Sequence, residues 1–220
     1  MDTICFDLDG TLTDPAPGIT ACIRHALTEL TGDAPPAEDL LWCIGPPLLG
    51  SFETLLAGKG DAARALVLYR ERFGDVGMFE NRVYDGMPET LSALSAAGYR
   101  MVVASSKPAV YVRQIVGHFG LADYFDAVHG SELDGTRADK SDLLSWVIAE
   151  EGIAAERATM IGDRHYDIRG ARNNGLRAVG VLYGYGSEAE LTEAGAHTVC
   201  RSPDELAPLF EASPPMTDAR

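Results

Sequence analysis

The chain has 220 residues, of which 46% are hydrophobic and 23% charged, with a formal net charge of −15. That length suits one large domain or a core with a small accessory domain, and the apolar fraction can fill a sizeable core, which excludes wholesale disorder. The negative surface disfavours nucleic-acid polymers and anionic membranes as partners, but a cation and a few lysines can still reverse the field in one cleft for a small anionic substrate.

The four cysteines, Cys5, Cys22, Cys43 and Cys200, form no C-x-x-C pair and have no histidine at zinc-finger spacing. They read as reduced, buried small side chains of a cytoplasmic protein. The chain starts without a basic or long apolar leader, and no apolar run approaches the ~18 residues of a membrane span.

In chain order, the first element is an apolar strand over 3–6. Residues 14–84 then show helical stripes without a convincing strand. Ile19, Ile23, Ala26, Leu27 and Leu30 make one stripe, and 48–56 and 62–73 make others. Asp14-Pro15 and Val83-Tyr84-Asp85-Gly86 read as hinges. A helix is predicted over 87–97, stopped by Gly98, then a strand over 99–104 and a helix over 109–119 ending at Gly120. A short strand at 127–129 precedes a helix over 140–151, whose Leu143, Leu144, Val147 and Ile148 form an apolar stripe. A strand over 158–161, a helix over 167–174, a strand over 178–183 and a weak strand at 197–199 complete the series. The tail from Ser213, with Pro214 and Pro215, reads as mobile. This alternation predicts an α/β fold with a parallel sheet and helices on both faces.

Phe6-Asp7-Leu8-Asp9-Gly10-Thr11-Leu12 carries the strongest chemical signal. In an extended chain, residues i and i+2 point the same way, so Asp7 and Asp9 face one site. The site falls beyond the carboxyl end of a strand, where open α/β sheets bind ligands. Gly10 lets the chain turn away. Ser105, with Ser106 and Lys107 beside it, follows the strand 99–104 as a candidate phosphate contact. Lys140 opens its helix against the macrodipole, which favours a functional reading, with Arg137 as the competitor. Asp163 ends a strand in Gly162-Asp163, and Asp167 follows four residues later.

These four segments, in this order at strand ends, resemble the signature motifs of the haloacid dehalogenase superfamily over about residues 7–167. The resemblance implies a Rossmann-like core over 1–14 and 85–212, a small all-helical cap over 15–84 and a tail at 213–220. It implies Asp7 as nucleophile, Asp9 as proton donor and Lys140 as charge-neutralising lysine. Ser105, Ser106, Lys107 and Gly10 are the expected phosphate contacts. Mg²⁺ is the expected cofactor, held by Asp7, a backbone carbonyl at Asp9, Asp163 and Asp167. An acid at Asp9 favours phosphoryl transfer over dehalogenation, because a halide needs no proton.

Trp42, Gly45, Pro46, Pro47 and Phe52 are candidate cap residues for substrate choice. Ile44-Gly45-Pro46-Pro47, Glu80-Asn81-Arg82-Val83-Tyr84 and 130–137 resemble a bacterial 5′-nucleotidase branch more than phosphoglycolate phosphatases. The implied enzyme is a phosphomonoesterase acting on a small phosphorylated metabolite, as a monomer or homodimer. A phosphosugar mutase would share the motifs. A non-catalytic binding protein on this scaffold would be expected to lack Asp7 or Asp9, and both are present.

Overall fold

The computed structural model describes residues 2–211, so the tail expected at 213–220 lies outside the described residues. The strands are β1 (Thr3–Phe6), β2 (Thr13–Asp14), β3 (Arg82–Val83), β4 (Arg100–Pro108), β5 (Ala127–Ser131), β6 (Ala158–Gly162), β7 (Arg177–Val181) and β8 (Thr198–Cys200). The α-helices are α1 (Ala16–Thr31), α2 (Leu48–Leu56), α3 (Ala62–Arg72), α4 (Met87–Ala96), α5 (Ala109–His118), α6 (Lys140–Glu151), α7 (His165–Asn173), α8 (Glu188–Glu193) and α9 (Leu206–Glu211). The chain folds into two compact units, one made of the residues up to Thr13 and from Val83 onward, the other of Asp14–Arg82.

The first unit is built on a six-stranded sheet in the order β5-β4-β1-β6-β7-β8. Each of its pairings is parallel. The fully buried β1 lies between β4 and β6, and the chain runs outward from β1 to β4 and β5 on one side and from β6 to β7 and β8 on the other. That switch point puts the carboxyl end of β1 where such sheets open a crevice. Cys5, Val102, Ala104 and Met160 pack with Leu143, Leu144 and Val147 of α6, Ile168 and Ala171 of α7 and Leu191 of α8. Phe6 alternates to the other face, where it meets Phe125 edge-on at 5.9 Å. Each such buried aliphatic or aromatic side chain contributes about 1.5–3 kcal/mol.

The second unit is helical. α1 carries Pro17 in its first turn and ends at Gly32, whose φ of 80° closes the helix on Thr28 O. A Cβ on Gly18 would lie 2.0 Å from Gly77 O, and one on Gly77 would lie 2.3 Å from Cys22 Sγ. This close approach accompanies a correction to the helix expected over 62–73. α3 stops at Arg72, and Phe73–Gly77 continues as a single π turn. Phe52 is buried against Tyr69, their rings 6.2 Å apart, and Tyr69 stacks on Phe73 at 5.3 Å. Phe52 is therefore core of this unit, which corrects its reading as a substrate contact.

Other differences are at element ends. β4 starts at Arg100 and runs on to Pro108, because a register break between Ser105 and Pro108 lets it stay paired with β5. β5 reaches Ser131, and β7 spans Arg177–Val181. α7 begins two residues early, at His165, because Asp167 Oδ2 accepts the Arg164 N–H at 3.1 Å. β2 and β3 pair with each other, which corrects the absence of strand at Asp14 and Arg82. With two residues each, they are too short for a periodic signal. The same shortness hid α8 and α9. All four cysteines are buried thiols outside any disulfide. Among the described residues, no helix is long and apolar enough to cross a membrane.

Candidate active site

Asp7 continues the ladder past β1, its N–H donating to Ile161 O at 2.9 Å. The chain then folds back tightly, with Leu12 N and Thr13 N both donating to Leu8 O, at 2.9 and 3.0 Å. Gly10 turns the corner with φ 84°, and a Cβ there would lie 2.2 Å from Asp163 Oδ2. Only glycine satisfies both demands.

Lys140 is the first residue of α6, behind the N-cap Asp139, which accepts from Ser141 N at 2.8 Å. Its side chain is buried, 3% exposed. Lys140 Nζ donates to Asp7 Oδ1 at 3.0 Å and to Ala104 O at 2.9 Å, and pairs with Asp167 Oδ1 at 2.8 Å. Asn173 and Asn174, at the end of α7, hold the start of α6 by donating to Ser141 Oγ at 3.0 Å and Ser141 O at 2.9 Å. Gly170 gives Lys140 room, since a Cβ there would lie 2.8 Å from Lys140 Cγ. A glycine inside a helix is the sequence signal for such a close contact.

Asp163 follows β6 and is buried. Its Oδ2 accepts the Tyr185 N–H at 2.8 Å. The loop that brings Tyr185 there needs its glycines. A Cβ on Gly184 would lie 2.3 Å from Gly10 O, and one on Gly186 would lie 1.9 Å from Asp163 O. Asp163 Oδ1 is buried and has no hydrogen-bond partner among the described residues. Asp167 packs under Gly162, where a Cβ would lie 2.2 Å from its carboxylate carbon.

Asp7, Asp163 and Asp167 each offer an oxygen within 4.8 Å of the others. The Lys140 ammonium pairs with two of these three carboxylates, Asp7 and Asp167. Burial, then the charges of Asp167 and Asp7, push the Asp163 carboxyl well above its usual range. Burial also raises Asp167, against the pull of Lys140. Burial works against the Lys140 ammonium, but Asp167 and Asp7 outweigh it and hold its pKa above the ordinary value. An all-oxygen set with surplus negative charge and one buried, unpartnered oxygen fits a hard divalent cation.

The carboxylate of Asp9 is not in that group. Its Oδ2 lies 2.5 Å from Lys107 Nζ. Burial raises the Asp9 carboxyl above the usual range, with Lys107 opposing. The buried Ser105 accepts the Lys107 N–H at 3.3 Å, and Ser106 O accepts from Ser131 Oγ at 2.8 Å. Of the two cations compared for the place beside Asp7, Lys140 occupies it. Arg137 pairs instead with Glu132 and lies over the Trp146 ring, 4.2 Å from its centre. Gly45, Pro46 and Pro47 lie in the other unit, between a 3₁₀ turn (Ala37–Cys43) and α2; Gly45 has φ 104° and Pro47 caps α2. Trp42, in that 3₁₀ turn, is 44% exposed.

Acidic strand ends, a buried lysine and a parallel sheet opening at its switch point mark this crevice as the candidate active site of an α/β enzyme. The chain matches the haloacid dehalogenase-like hydrolase family over residues 4–181 and belongs to it. It is an enzyme, a phosphatase of that family. It is 50% identical over 189 residues to a 5′-nucleotidase of Pseudomonas aeruginosa, covering 86% of each chain. It is 37% identical over 211 residues to the tyrosine-protein kinase PtkA of Mycobacterium tuberculosis, covering 95% of this chain and 71% of that one. A predicted phosphatase from Clostridium acetobutylicum shares the fold with a TM-score of 0.89 and 43% identity, covering 96% of this chain and 98% of that one.

Proposed function

We propose that the protein hydrolyses phosphate monoesters, preferring nucleoside 5′-monophosphates, through an aspartyl-phosphate on Asp7. The observation that carries this is the pairing of Asp7 with Lys140 at 3.0 Å, with a second carboxylate, Asp9, two residues on. An Asp7 oxygen attacks phosphorus in line with the leaving oxygen. Asp9 gives a proton to the leaving alcohol, then takes one from the water that opens the intermediate. Lys140 and Ser105 hold phosphoryl oxygens, and Gly10 keeps the nucleophile's turn open to them. Mg²⁺ would be held by Asp7, Asp163 and the backbone carbonyl of Asp9, with Asp167 behind. When bound, it supplies charge that lessens the repulsion between carboxylate and phosphate.

The helical unit Asp14–Arg82 acts as a cap that selects the leaving group, with Gly45, Pro46, Pro47 and the exposed Trp42 as its contacts. The nucleotide preference is supported by the 50% identity to a 5′-nucleotidase. The enzyme works in the cytoplasm on a small metabolite, as a monomer or homodimer.

The test is phosphate release with Mg²⁺ from AMP, UMP, IMP, phosphoglycolate and sugar phosphates, for wild type and Asp7→Asn. The reading requires preference for nucleoside monophosphates and loss of release in the variant. Preference for phosphoglycolate would replace the substrate and keep the mechanism. Asp7-dependent transfer from ATP to tyrosine, without hydrolysis of any monoester, would overturn the reading.

A further inference from the structure

Lys107 and Asp9 are joined across 98 residues of sequence, Nζ to Oδ2 at 2.5 Å, with side chains only 8% and 12% exposed. The other oxygen, Asp9 Oδ1, is buried and has no hydrogen-bond partner among the described residues. The lysine is itself well placed. It sits in the β4 irregularity between Ser105 and Pro108, donates its N–H to Ser105 Oγ, and precedes a proline of fixed φ. Its carbonyl lies against Gly130 of β5, where a Cβ would come within 2.4 Å of it. An aspartate carboxylate turns in a broad, two-fold well, so two free oxygens would leave its plane loosely set. One oxygen held by a buried ammonium fixes that plane.

We propose that Lys107 is the positioning residue of the proton donor. It holds Oδ2 of Asp9, so the proton reaches the leaving group from Oδ1. This rests on the reading of Asp9 as proton donor. In the step, the bond from an Asp7 oxygen to phosphorus forms as the bond to the leaving oxygen breaks. The leaving oxygen keeps that electron pair and takes the Oδ1 proton, and Asp9 remains as a carboxylate beside the Lys107 ammonium. A lysine that gripped phosphate would help every ester alike. A lysine that sets Asp9 helps only esters whose leaving oxygen needs a proton.

The test is kcat/KM, with Mg²⁺, on alkyl, phenyl, 4-nitrophenyl and 2,4-dinitrophenyl phosphates. The proteins are wild type, Lys107→Met, Lys107→Gln, Asp9→Asn and the double variant Asp9→Asn/Lys107→Met. General acid catalysis contributes about 10²–10⁴-fold, so Lys107→Met is expected to lose roughly 10–100-fold on the alkyl ester. The loss should shrink to under about threefold on the dinitrophenyl ester, whose turnover also reports a folded site. Added to Asp9→Asn, the lysine change should cost nothing further. An equal loss across the series, or full additivity in the double variant, would overturn the inference while leaving Asp9 as donor. A flat profile for Asp9→Asn would overturn the reading of Asp9, and this inference with it. If Lys107→Met turns over no ester, Lys107→Gln is judged by the same pattern.

Discussion

Gly170 of α7 leaves the space that the side chain of Lys140 fills, with a would-be Cβ only 2.8 Å from Lys140 Cγ. Gly170→Ala should therefore separate stability from activity. The helix gains about 1 kcal/mol in propensity, and overpacking costs about 1–3 kcal/mol, so the melting temperature should change little or fall by a few degrees. kcat should fall about tenfold or more, because a shift of about 1 Å in a positioning group can cost up to roughly 100-fold. Thermal melts and kcat on one phosphate ester check both halves.

Lys140→Met should lower kcat by about 10²–10³, the usual loss when a preorganised cation or donor is removed. It also leaves Asp7 and Asp167 buried without their shared ammonium. A loss of about 3–5 kcal/mol in urea denaturation is expected when a buried pair loses one partner. Arg137→Met should move kcat little, since its partners are Glu132 and Trp146.

Chelation with EDTA should abolish activity and Mg²⁺ should restore it, while Ca²⁺ should inhibit through its larger, looser shell. A readout independent of turnover is the melting temperature. Binding to the folded state at 100 times Kd stabilises by about 2.7 kcal/mol, so Mg²⁺ should raise the melting temperature of wild type. Asp163→Asn should lose most of that rise, because it removes charge from the Asp7, Asp163 and Asp167 group.

Glu190, which is not one of the three clustered carboxylates, offers a pH test. Burial works against its carboxylate, but the N–H and imidazole of His165 and the guanidinium of Arg164 hold its pKa at about 2. A carboxyl lowered on folding stabilises above its unfolded value, about 4.3, and that contribution is lost as pH falls through the folded value. Glu190→Gln should therefore melt below wild type by a constant margin from pH 7 to about 5. The margin should close as pH falls towards 2. Melting curves across that range check the sign.

The parts legible in the sequence were those written in local patterns. The apolar run 3–6 was readable as a strand, and its bounds match β1. The helix 140–151 was readable from its stripe and from Gly152, and its bounds match α6. What was hidden depended on distant neighbours. Ser105, Ser106, Lys107 and Pro108 read as a loop because serine and proline usually end strands. Gly130 across the sheet is what allows β4 to continue. Lys107 could be placed near phosphate by motif, but its bond to Asp9 needed the fold. The role of Gly170 likewise appears only once Lys140 lies over it.

The central place of β1 in the sheet has a consequence for biosynthesis. β1 is made before either neighbour, since β4 and β6 begin only at Arg100 and Ala158. At about 5–20 residues per second, the apolar strand waits on the order of ten seconds for both sides of its ladder. The emerging chain carries Asp7 through most of that interval without Lys140, and through all of it without Asp163, so a ribosome-bound fragment cannot bring these three side chains together before the sheet closes.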